Sequence, residues 1–175
     1  GWAKGNPNLK PEKGIMGEVG WETSFDNPRA GTNLTYFRSF YEQLIQWAEA
    51  AGVWSPTNVG SAVIEGVEIE GYLSPMESVD ITLGYTYQAA KDDKTNKFLI
   101  YQPKHKVDFS INHQNILGWS VGIKGQWTGL RFHDAANTIK IDGFFLLDIY
   151  ASKKLKSGLT YYIVIYNALN KKYES

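Results

Sequence analysis

The sequence of 175 residues contains no cysteine, which excludes disulfide frameworks, thiolate zinc sites and cysteine nucleophiles. It has no surplus of charge of either sign, since 18 basic side chains balance 18 acidic ones. A nucleic-acid-binding protein normally carries a basic surplus, so we expect no nucleic-acid partner. Apolar runs are short, and none approaches the ~18 residues of a membrane helix. Residues 1–7 also lack the apolar core of a signal peptide, and we expect no signal peptide in the sequence as it stands.

Aromatic residues and glycine are abundant by contrast, with six Trp, eleven Tyr, eight Phe and 17 Gly. This mixture is typical of β-structure interrupted by turns. Apolar and polar residues alternate with a period of two, most clearly over 79–88 and 119–128, as in strands with one apolar face. Similar alternation predicts strands over 18–25, 67–73 and 107–113, and less regular apolar segments predict strands over 32–45, 141–153 and 159–167. The sequence therefore predicts an all-β fold with eight strands.

Short and long connections alternate between these strands. The short connections are residues 26–31, 74–78, 114–118 and 154–158, and the long ones are residues 48–58, 89–100 and 130–140. Every second connection of an up-and-down barrel lies at the same rim, so one rim would carry tight turns and the other would carry loops. Outer-membrane barrels have this asymmetry. We therefore predict about eight strands of an antiparallel up-and-down β-barrel.

One segment also fits a helix. Residues 41–52 contain good helix formers, and Gly52 stands where a C-terminal cap is expected. A short helix in the loop after the second strand is therefore an alternative to extended structure there, and it would leave the barrel unchanged.

Alternation alone does not say which face of the sheet is inside the barrel. A soluble lipocalin-like barrel has its apolar face inside, whereas a membrane barrel has it outside. Adjacent acids on a polar face, such as Glu68 and Glu70, suit a wet lumen or the outside of a soluble barrel equally. The spacing of Trp119 and Trp127 favours a membrane barrel over a soluble one. The two residues are separated by roughly 20 Å along the barrel axis, close to the ~25 Å apolar band between aromatic girdles. The predicted lipid-facing girdle is Trp21, Phe25 and Trp119 at the short-turn ends and Tyr85, Tyr87 and Trp127 at the long-loop ends.

Two patterns that could carry catalysis are weak. Residues 118–122 match the G-x-S-x-G nucleophile elbow, but Ser120 begins an alternating strand, and His133 precedes the downstream acids. Glu68 and Glu70 share one strand face, as paired glycosidase carboxylates can, although neighbouring acids are more often simply solvated. The three histidines lack metal-ligand spacing: His105, His113 and His133. We therefore expect no enzyme, no catalytic residue, no metal site and no cofactor.

Five stretches resemble, in order, the carboxy-terminal part of a TonB-dependent outer-membrane receptor. They are GNPNLKPE at 5–12, LTYF at 34–37 with Leu44-Ile45, NVGS at 58–61 with GVEIE at 66–70, QPKH at 102–105 and NALNKKY at 167–173. Each stretch is short, but together they extend over nearly the whole chain and place the long loops on the extracellular side. The chain departs from the family at Ala168, where a bulky apolar residue is usual, and lacks the signal peptide, TonB box, plug and last strand.

The resemblance implies that residues 1–175 form a carboxy-terminal portion of a transmembrane barrel of 22 strands in the outer membrane of a Gram-negative bacterium. It implies active transport of a scarce, bulky nutrient, namely a ferric siderophore, cobalamin or haem. The implied partners are outer-membrane lipid, a bulky small-molecule or metal-chelate substrate, and TonB, which would act through the missing plug region. Aromatic and charged side chains on the long loops are the candidates for ligand binding: Trp47, Trp54, Tyr101, Arg131 and His133.

A soluble lipocalin-like barrel that binds a small apolar ligand is the main alternative, since it fits the length of the chain. It predicts that Trp119, Val121 and Ile123 line an internal pocket. A jelly-roll glycosidase that uses Glu68 and Glu70 is a third interpretation.

Overall fold

The computed structural model describes residues 2–58 and 60–173. Val59, the second residue of the motif at 58–61, lies outside the described residues, as do Gly1, Glu174 and Ser175. The described part of the chain contains twelve β-strands and no helix, and so no helix that is long and apolar enough to cross a membrane. The strands are β1 (Lys13–Asp26), β2 (Arg29–Glu42), β3 (Ile45–Ala50), β4 (Val53–Asn58), β5 (Ser61–Met76), β6 (Val79–Asp92), β7 (His105–Ile116), β8 (Trp119–Thr128), β9 (Arg131–Phe132), β10 (Lys140–Ile141), β11 (Phe144–Lys154) and β12 (Thr160–Ile165).

Eight of these strands form one sheet in the order β1-β2-β5-β6-β7-β8-β11-β12. Each sheet strand pairs antiparallel with the next one along the chain, which is the up-and-down arrangement. The other four strands form two hairpins, β3–β4 and β9–β10. The prediction of an all-β antiparallel fold with eight sheet strands is therefore confirmed, and the sheet is an open section of a barrel wall with β1 and β12 at its edges.

Some strands extend further than the alternation of the sequence indicates. β8 coincides with the predicted segment 119–128, but β1 and β5 continue several residues beyond their predicted ends. Glycine interrupts the apolar face at Gly17 and lies on the polar face at Gly66, yet backbone pairing continues through both residues. The strands are therefore longer than their amphipathic parts.

The predicted alternation of short and long connections is found in the structure. Two-residue turns at 27–28, 77–78 and 117–118 join β1–β2, β5–β6 and β7–β8, and residues 155–159 join β11–β12. The opposite end of the sheet carries loop A (residues 43–60), loop B (residues 93–104) and loop C (residues 129–143). We call these two ends the turn rim and the loop rim.

The helix considered for residues 41–52 is wrong. The segment instead contributes β3, which pairs with β4 to form a hairpin within loop A. Ala51 and Gly52 form the turn of this hairpin, with φ of 52° and 78°. A two-residue hairpin turn of this kind needs positive φ, as the residue after a helix does, so a glycine at 52 suits either structure.

The register separates an apolar face of the sheet from a polar face. One row of directly paired residues crosses all eight strands and is wholly apolar: Phe25, Ala30, Leu73, Ile81, Ile111, Ile123, Ile149 and Ile165. A row on the opposite face contains Glu22, Asn33, Glu70, Gly84, Asp108, Gln126 and Leu146. Side chains of the apolar face are exposed, as at Leu83 (55%) and Ile69 (42%). The described chain therefore leaves a broad apolar surface uncovered, which indicates contact with a non-aqueous partner.

The apolar row runs obliquely to the rims. Phe25 immediately precedes the last residue of β1, whereas Ile123 is the fifth residue of β8 counted from the same turn rim. Closing a sheet into a barrel requires strands that are tilted and staggered in this way. The register is therefore that of a barrel wall.

Tight packing occurs at the loop rim and not in the middle of the sheet. Leu99 of loop B is 4% exposed and packs against Ala62 and Ala90 on the polar face. Other buried apolar residues of the loops are Ile100, Phe132 and Ile141. Loop B therefore folds over the polar face, and the loops have a packed core of their own that can hold side chains in fixed positions.

Candidate ligand-binding site

Side chains from all three long loops meet at the loop rim. Trp54 lies on β4 of loop A, Tyr101 lies in loop B, and His133 follows β9 of loop C. The centroid of the Trp54 ring is 6.3 Å from that of Tyr101 and 5.7 Å from that of His133. The rings of Tyr101 and His133 are 5.5 Å apart in an edge-to-face arrangement. We call these three residues the aromatic cluster, and it unites three of the five residues predicted to bind ligand.

The aromatic cluster also has a polar centre. The Tyr101 hydroxyl lies 2.5 Å from His133 Nδ1, and a neutral imidazole can accept a hydrogen bond from the hydroxyl at this nitrogen. All three side chains are partly exposed, so a ligand can reach them. Aromatic faces with one polar handle bind a bulky ligand by stacking and orient it by hydrogen bonding.

The other two predicted residues lie in different environments. Arg131 begins β9 and is only 4% exposed, and its guanidinium carbon lies 5.4 Å from the centre of the Phe144 ring. Its charge is therefore shielded from solvent. Trp47 lies on β3 opposite Pro56 and is half exposed. Among the described residues, the ring contacts of the aromatic cluster do not include Trp47.

Loops B and C are joined by specific hydrogen bonds. The Asn137 side chain accepts a hydrogen bond from the Phe98 N–H at 2.7 Å and donates one to the Phe98 carbonyl at 2.9 Å. The Tyr101 N–H donates to the Phe132 carbonyl at 2.8 Å, and the Phe98 ring stacks on Phe132 with centroids 6.0 Å apart. These contacts fix the position of Tyr101 relative to His133.

Asp134 organises the tip of loop C. Its carboxylate accepts hydrogen bonds from the Ile139 N–H at 2.7 Å, the Thr138 N–H at 2.9 Å and the Thr138 hydroxyl at 2.8 Å. The bond from Ile139 contributes most, and together these donors hold the pKa of Asp134 below its ordinary 3.8 because they favour the ionised carboxylate. Sequence alone points to neither Asp134 nor Asn137, since single Asp and Asn residues in a polar loop form no recognisable spacing.

The segment before β1 fixes loop A. The Asn58 side chain accepts a hydrogen bond from the Lys10 N–H and donates one to the Lys10 carbonyl, both at 2.9 Å. Glu12 accepts a hydrogen bond from the backbone of loop A, and Trp54 pairs through its backbone with residues 2–4. The stretch at 5–12 therefore belongs to a structural clamp that helps to position Trp54.

The predicted girdle residues all lie on the apolar face. They are Trp21, Phe25, Trp119, Tyr85, Tyr87 and Trp127. Trp21, Tyr85 and Trp127 belong to one row of paired residues. Trp21 is five residues from Asp26, where β1 ends at the turn rim. Trp127 is eight residues from Trp119, where β8 begins at the turn rim. The distance of this row from the turn rim therefore increases from β1 to β8. Trp21 is thus nearer the turn rim than Trp127 is.

The weak catalytic patterns of the sequence fall on ordinary strand positions. Ser120 is the second residue of β8 and lies opposite Ser152 of β11, so residues 118–122 form a turn and the start of a strand. Glu68 and Glu70 lie on the polar face of β5. Within the residues that the structure describes, no group of three or more His, Asp or Glu side chains could hold a metal ion.

Known proteins resemble this chain over nearly its whole length. The vitamin B12 transporter BtuB of Photobacterium profundum is 33% identical over 175 residues, which represent 97% of this chain and 28% of that protein. The vitamin B12 transporter BtuB of Vibrio vulnificus is 29% identical over 176 residues, which represent 99% of this chain and 28% of that protein. The chain therefore spans less than a third of the length of these curated relatives.

Solved structures share the fold. The ferripyoverdine receptor of the outer membrane of Pseudomonas aeruginosa, bound to ferripyoverdine, superimposes with a TM-score of 0.71 at 18% identity, over 94% of this chain and 24% of that chain. At this identity the likeness concerns the fold alone. The family model described as TonB dependent receptor-like, beta-barrel, matches residues 2–168. The chain therefore belongs to the TonB-dependent receptor family.

Proposed function

We propose that this chain forms part of the wall and ligand-binding mouth of an outer-membrane receptor that takes up a scarce, bulky nutrient with energy from TonB. The observation that carries the proposal is the aromatic cluster, in which three separate loops bring Trp54, Tyr101 and His133 together. Loops at one rim of a rigid scaffold are the usual position of binding residues. The contacts between the loops hold the three rings ready for a ligand, which lowers the entropy cost of binding.

Among the nutrients that the family resemblance implies, cobalamin is the first that we propose. Two relatives with 33% and 29% identity are named as vitamin B12 transporters. The corrin macrocycle is broad and bulky, so its edges and side chains suit a cluster of aromatic rings. A ferric siderophore is the second candidate, because a solved neighbour of the same fold is a ferripyoverdine receptor. Haem is the third.

The experiment that tests this site measures cobalamin binding by outer membranes that contain the full-length receptor with Trp54→Ala. We expect the affinity to fall about tenfold or more, as when a central aromatic anchor is truncated. Trp47→Ala is the matched control, because Trp47 belongs to the same hairpin but not to the aromatic cluster. Equal cobalamin affinity in the wild type and both variants would show that the aromatic cluster is not part of the binding site. The same assay with ferripyoverdine and haem identifies the substrate class if cobalamin does not bind.

We further propose that the apolar face contacts outer-membrane lipid and that the polar face lines the lumen. This orientation is supported by the wholly apolar row, by the acids of the opposite face and by the exposed girdle residues Trp21, Phe25, Tyr87 and Trp127. Fractionation of the source cells, blotted with an antibody against this chain, tests the location. A band much larger than this chain in the outer-membrane fraction is expected. A band of the size of this chain in the soluble fraction would instead favour the lipocalin-like barrel.

Energy coupling involves parts of the receptor outside the described residues. We propose that a plug region closes the lumen and that TonB moves it, while this chain contributes wall and loops and performs no covalent chemistry. Cells that lack TonB are then expected to bind cobalamin at the surface and to accumulate none of it. Accumulation at the normal rate without TonB would contradict the proposed energy source.

A further inference from the structure

A second pocket lies at the loop rim, and its charge is positive. Its volume is about 450 Å³, and it is formed by β10, the beginning of β11 and the segment that follows β12. Lys140, Lys171 and Lys172 line it together with a single carboxylate, Asp142. All three lysines are exposed, and none has a carboxylate oxygen within 4.0 Å among residues 2–58 and 60–173. Because these lysines are exposed, an anion in solution can reach them.

The pocket opens on the polar side of the sheet. Phe144 contributes to its lining and is paired with Thr128, in the row of residues that contains Glu68 and Lys106. The apolar row lies on the other face, so a lipid at that face does not reach the pocket. A ligand of this pocket therefore approaches from the polar side of the sheet.

The segment that carries two of the lysines is held in place by its own contacts. The Asn167 side chain donates to the Lys171 carbonyl at 3.0 Å and accepts from the Lys171 N–H at 2.9 Å. The Ala168 N–H donates to the Leu147 carbonyl of β11 at 2.7 Å. Tyr173 stacks on Phe144 with ring centroids 4.5 Å apart. Contacts on both sides of Lys171 and Lys172 thus fix the backbone that presents their charges.

The pocket and the aromatic cluster share a hairpin. Lys140 of β10 is paired with Phe132 of β9, whose carbonyl accepts the hydrogen bond from the Tyr101 N–H. His133 follows Phe132 directly. The pocket and the aromatic cluster are therefore neighbours along one hairpin of loop C.

We propose that this lysine pocket binds an oxyanion, a phosphate or carboxylate group carried by the ligand that the aromatic cluster captures. The proposal rests on the proposed function for the identity of that ligand. Lysine is a point charge with three donors that suits phosphate and carboxylate oxygens without demanding one geometry. The lysines of the pocket would select a bulky nutrient that carries an anionic group. The aromatic cluster would supply the surface on which that nutrient stacks.

Binding of inorganic phosphate to the purified full-length receptor tests the pocket without reference to the nutrient. Line broadening of the phosphorus NMR signal reports binding, and sodium chloride at equal ionic strength controls for general screening. We expect the Lys171→Gln/Lys172→Gln variant to weaken phosphate binding about tenfold or more, because charge-assisted hydrogen bonds are lost. Lys140→Gln, on a different element, is expected to weaken it in the same direction. The Lys154→Gln/Lys156→Gln variant removes the same charge at the turn rim and is expected to bind normally.

The outcomes separate this proposal from the proposed function. Phosphate binding that is absent from the wild type, or equal in all variants, overturns the lysine pocket whatever the nutrient is. Phosphate binding that depends on Lys171 and Lys172 supports the pocket even if cobalamin does not bind. If cobalamin binds and its affinity is unchanged by both lysine variants, the nutrient assignment stands and the pocket is not part of its site.

Discussion

Asp134 makes the tip of loop C sensitive to acid. Its pKa in the folded chain is held below 3.8, so the stabilisation that its carboxylate provides is present above pH 3.8 and is lost as the pH falls through the lower folded value. We expect the protection of the Thr138 and Ile139 amides against hydrogen exchange, corrected for intrinsic rates, to fall in that window. Asp134→Asn keeps a neutral acceptor in place of the carboxylate, so it should weaken this protection at pH 7 and abolish its pH dependence. Asp142→Asn, in the same loop, is the control, and equal protection in both variants would contradict the assignment.

Gly66 occupies a position where a side chain does not fit. A Cβ atom there would lie against the Tyr87 carbonyl oxygen and 2.7 Å from the Phe37 ring. We expect Gly66→Ala to lower the free energy of unfolding of the full receptor by about 1–3 kcal/mol, as overpacking does. Gly17→Ala is the control, because nothing lies within 4 Å of the added Cβ, and we expect a change of less than about 0.5 kcal/mol. Urea unfolding in detergent measures both, and equal stabilities would show that β2 and β6 can relax around the added methyl group.

Loops B and C act as one unit because Asn137 connects them. Removing its side chain breaks both hydrogen bonds to the Phe98 backbone, and alanine also fits poorly at the φ of 60° found at this residue. We expect Asn137→Ala to raise hydrogen exchange about tenfold or more in both loops, measured by mass spectrometry of the full receptor. Asn115→Ala at the turn rim, where φ is 65°, is the control for the backbone cost alone. Faster exchange in loop C with loop B unchanged would show that the loops are independent.

The strands of the eight-stranded sheet could be predicted from the sequence, whereas the hairpins β3–β4 and β9–β10 could not. A strand with one buried or lipid-facing side must alternate, so the pattern over 119–128 identified β8 to the residue. The β3 segment IQWAEA does not alternate clearly and contains good helix formers. Its extended form depends on pairing with β4 and on Asn58, which the segment before β1 holds in place. Such tertiary contacts override local propensity.

The apolar face is a property of the whole molecule, and one residue in its middle tests what covers it. Ile123 belongs to the apolar row that crosses all eight strands. Because an arginine near the middle of a lipid-facing strand is poorly solvated, we expect Ile123→Arg to destabilise the full receptor by about 2–4 kcal/mol while ligand binding by the folded fraction persists. Gln126→Arg on the polar face of the same strand is the control and should be tolerated. Unfolding in lipid vesicles measures stability, and loss of ligand binding without loss of stability would favour a soluble barrel with an internal pocket.

The candidate site could be predicted in its residue types but not in its arrangement. Aromatic and charged residues on long loops indicated Trp54, Tyr101 and His133, and the structure brings them together. Their contacts join residues far apart in the sequence, and they depend on how three loops fold over one another. The burial of Arg131 has the same origin, since nothing in its local sequence distinguishes a buried arginine from an exposed one.

The difference between the two rims determines where this chain tolerates a change of length. A residue inserted into a two-residue turn such as 77–78 would shift one strand against its neighbour and exchange its apolar and polar faces. A residue inserted at the tip of the β3–β4 hairpin, beside Gly52, leaves the register of the eight-stranded sheet untouched. Related sequences can therefore change the length of the loops at the loop rim, whereas the two-residue turns at the opposite rim tolerate substitution better than insertion. New ligand preferences in such a scaffold are expected to evolve from changes in loop length at one end of a wall of constant strand length.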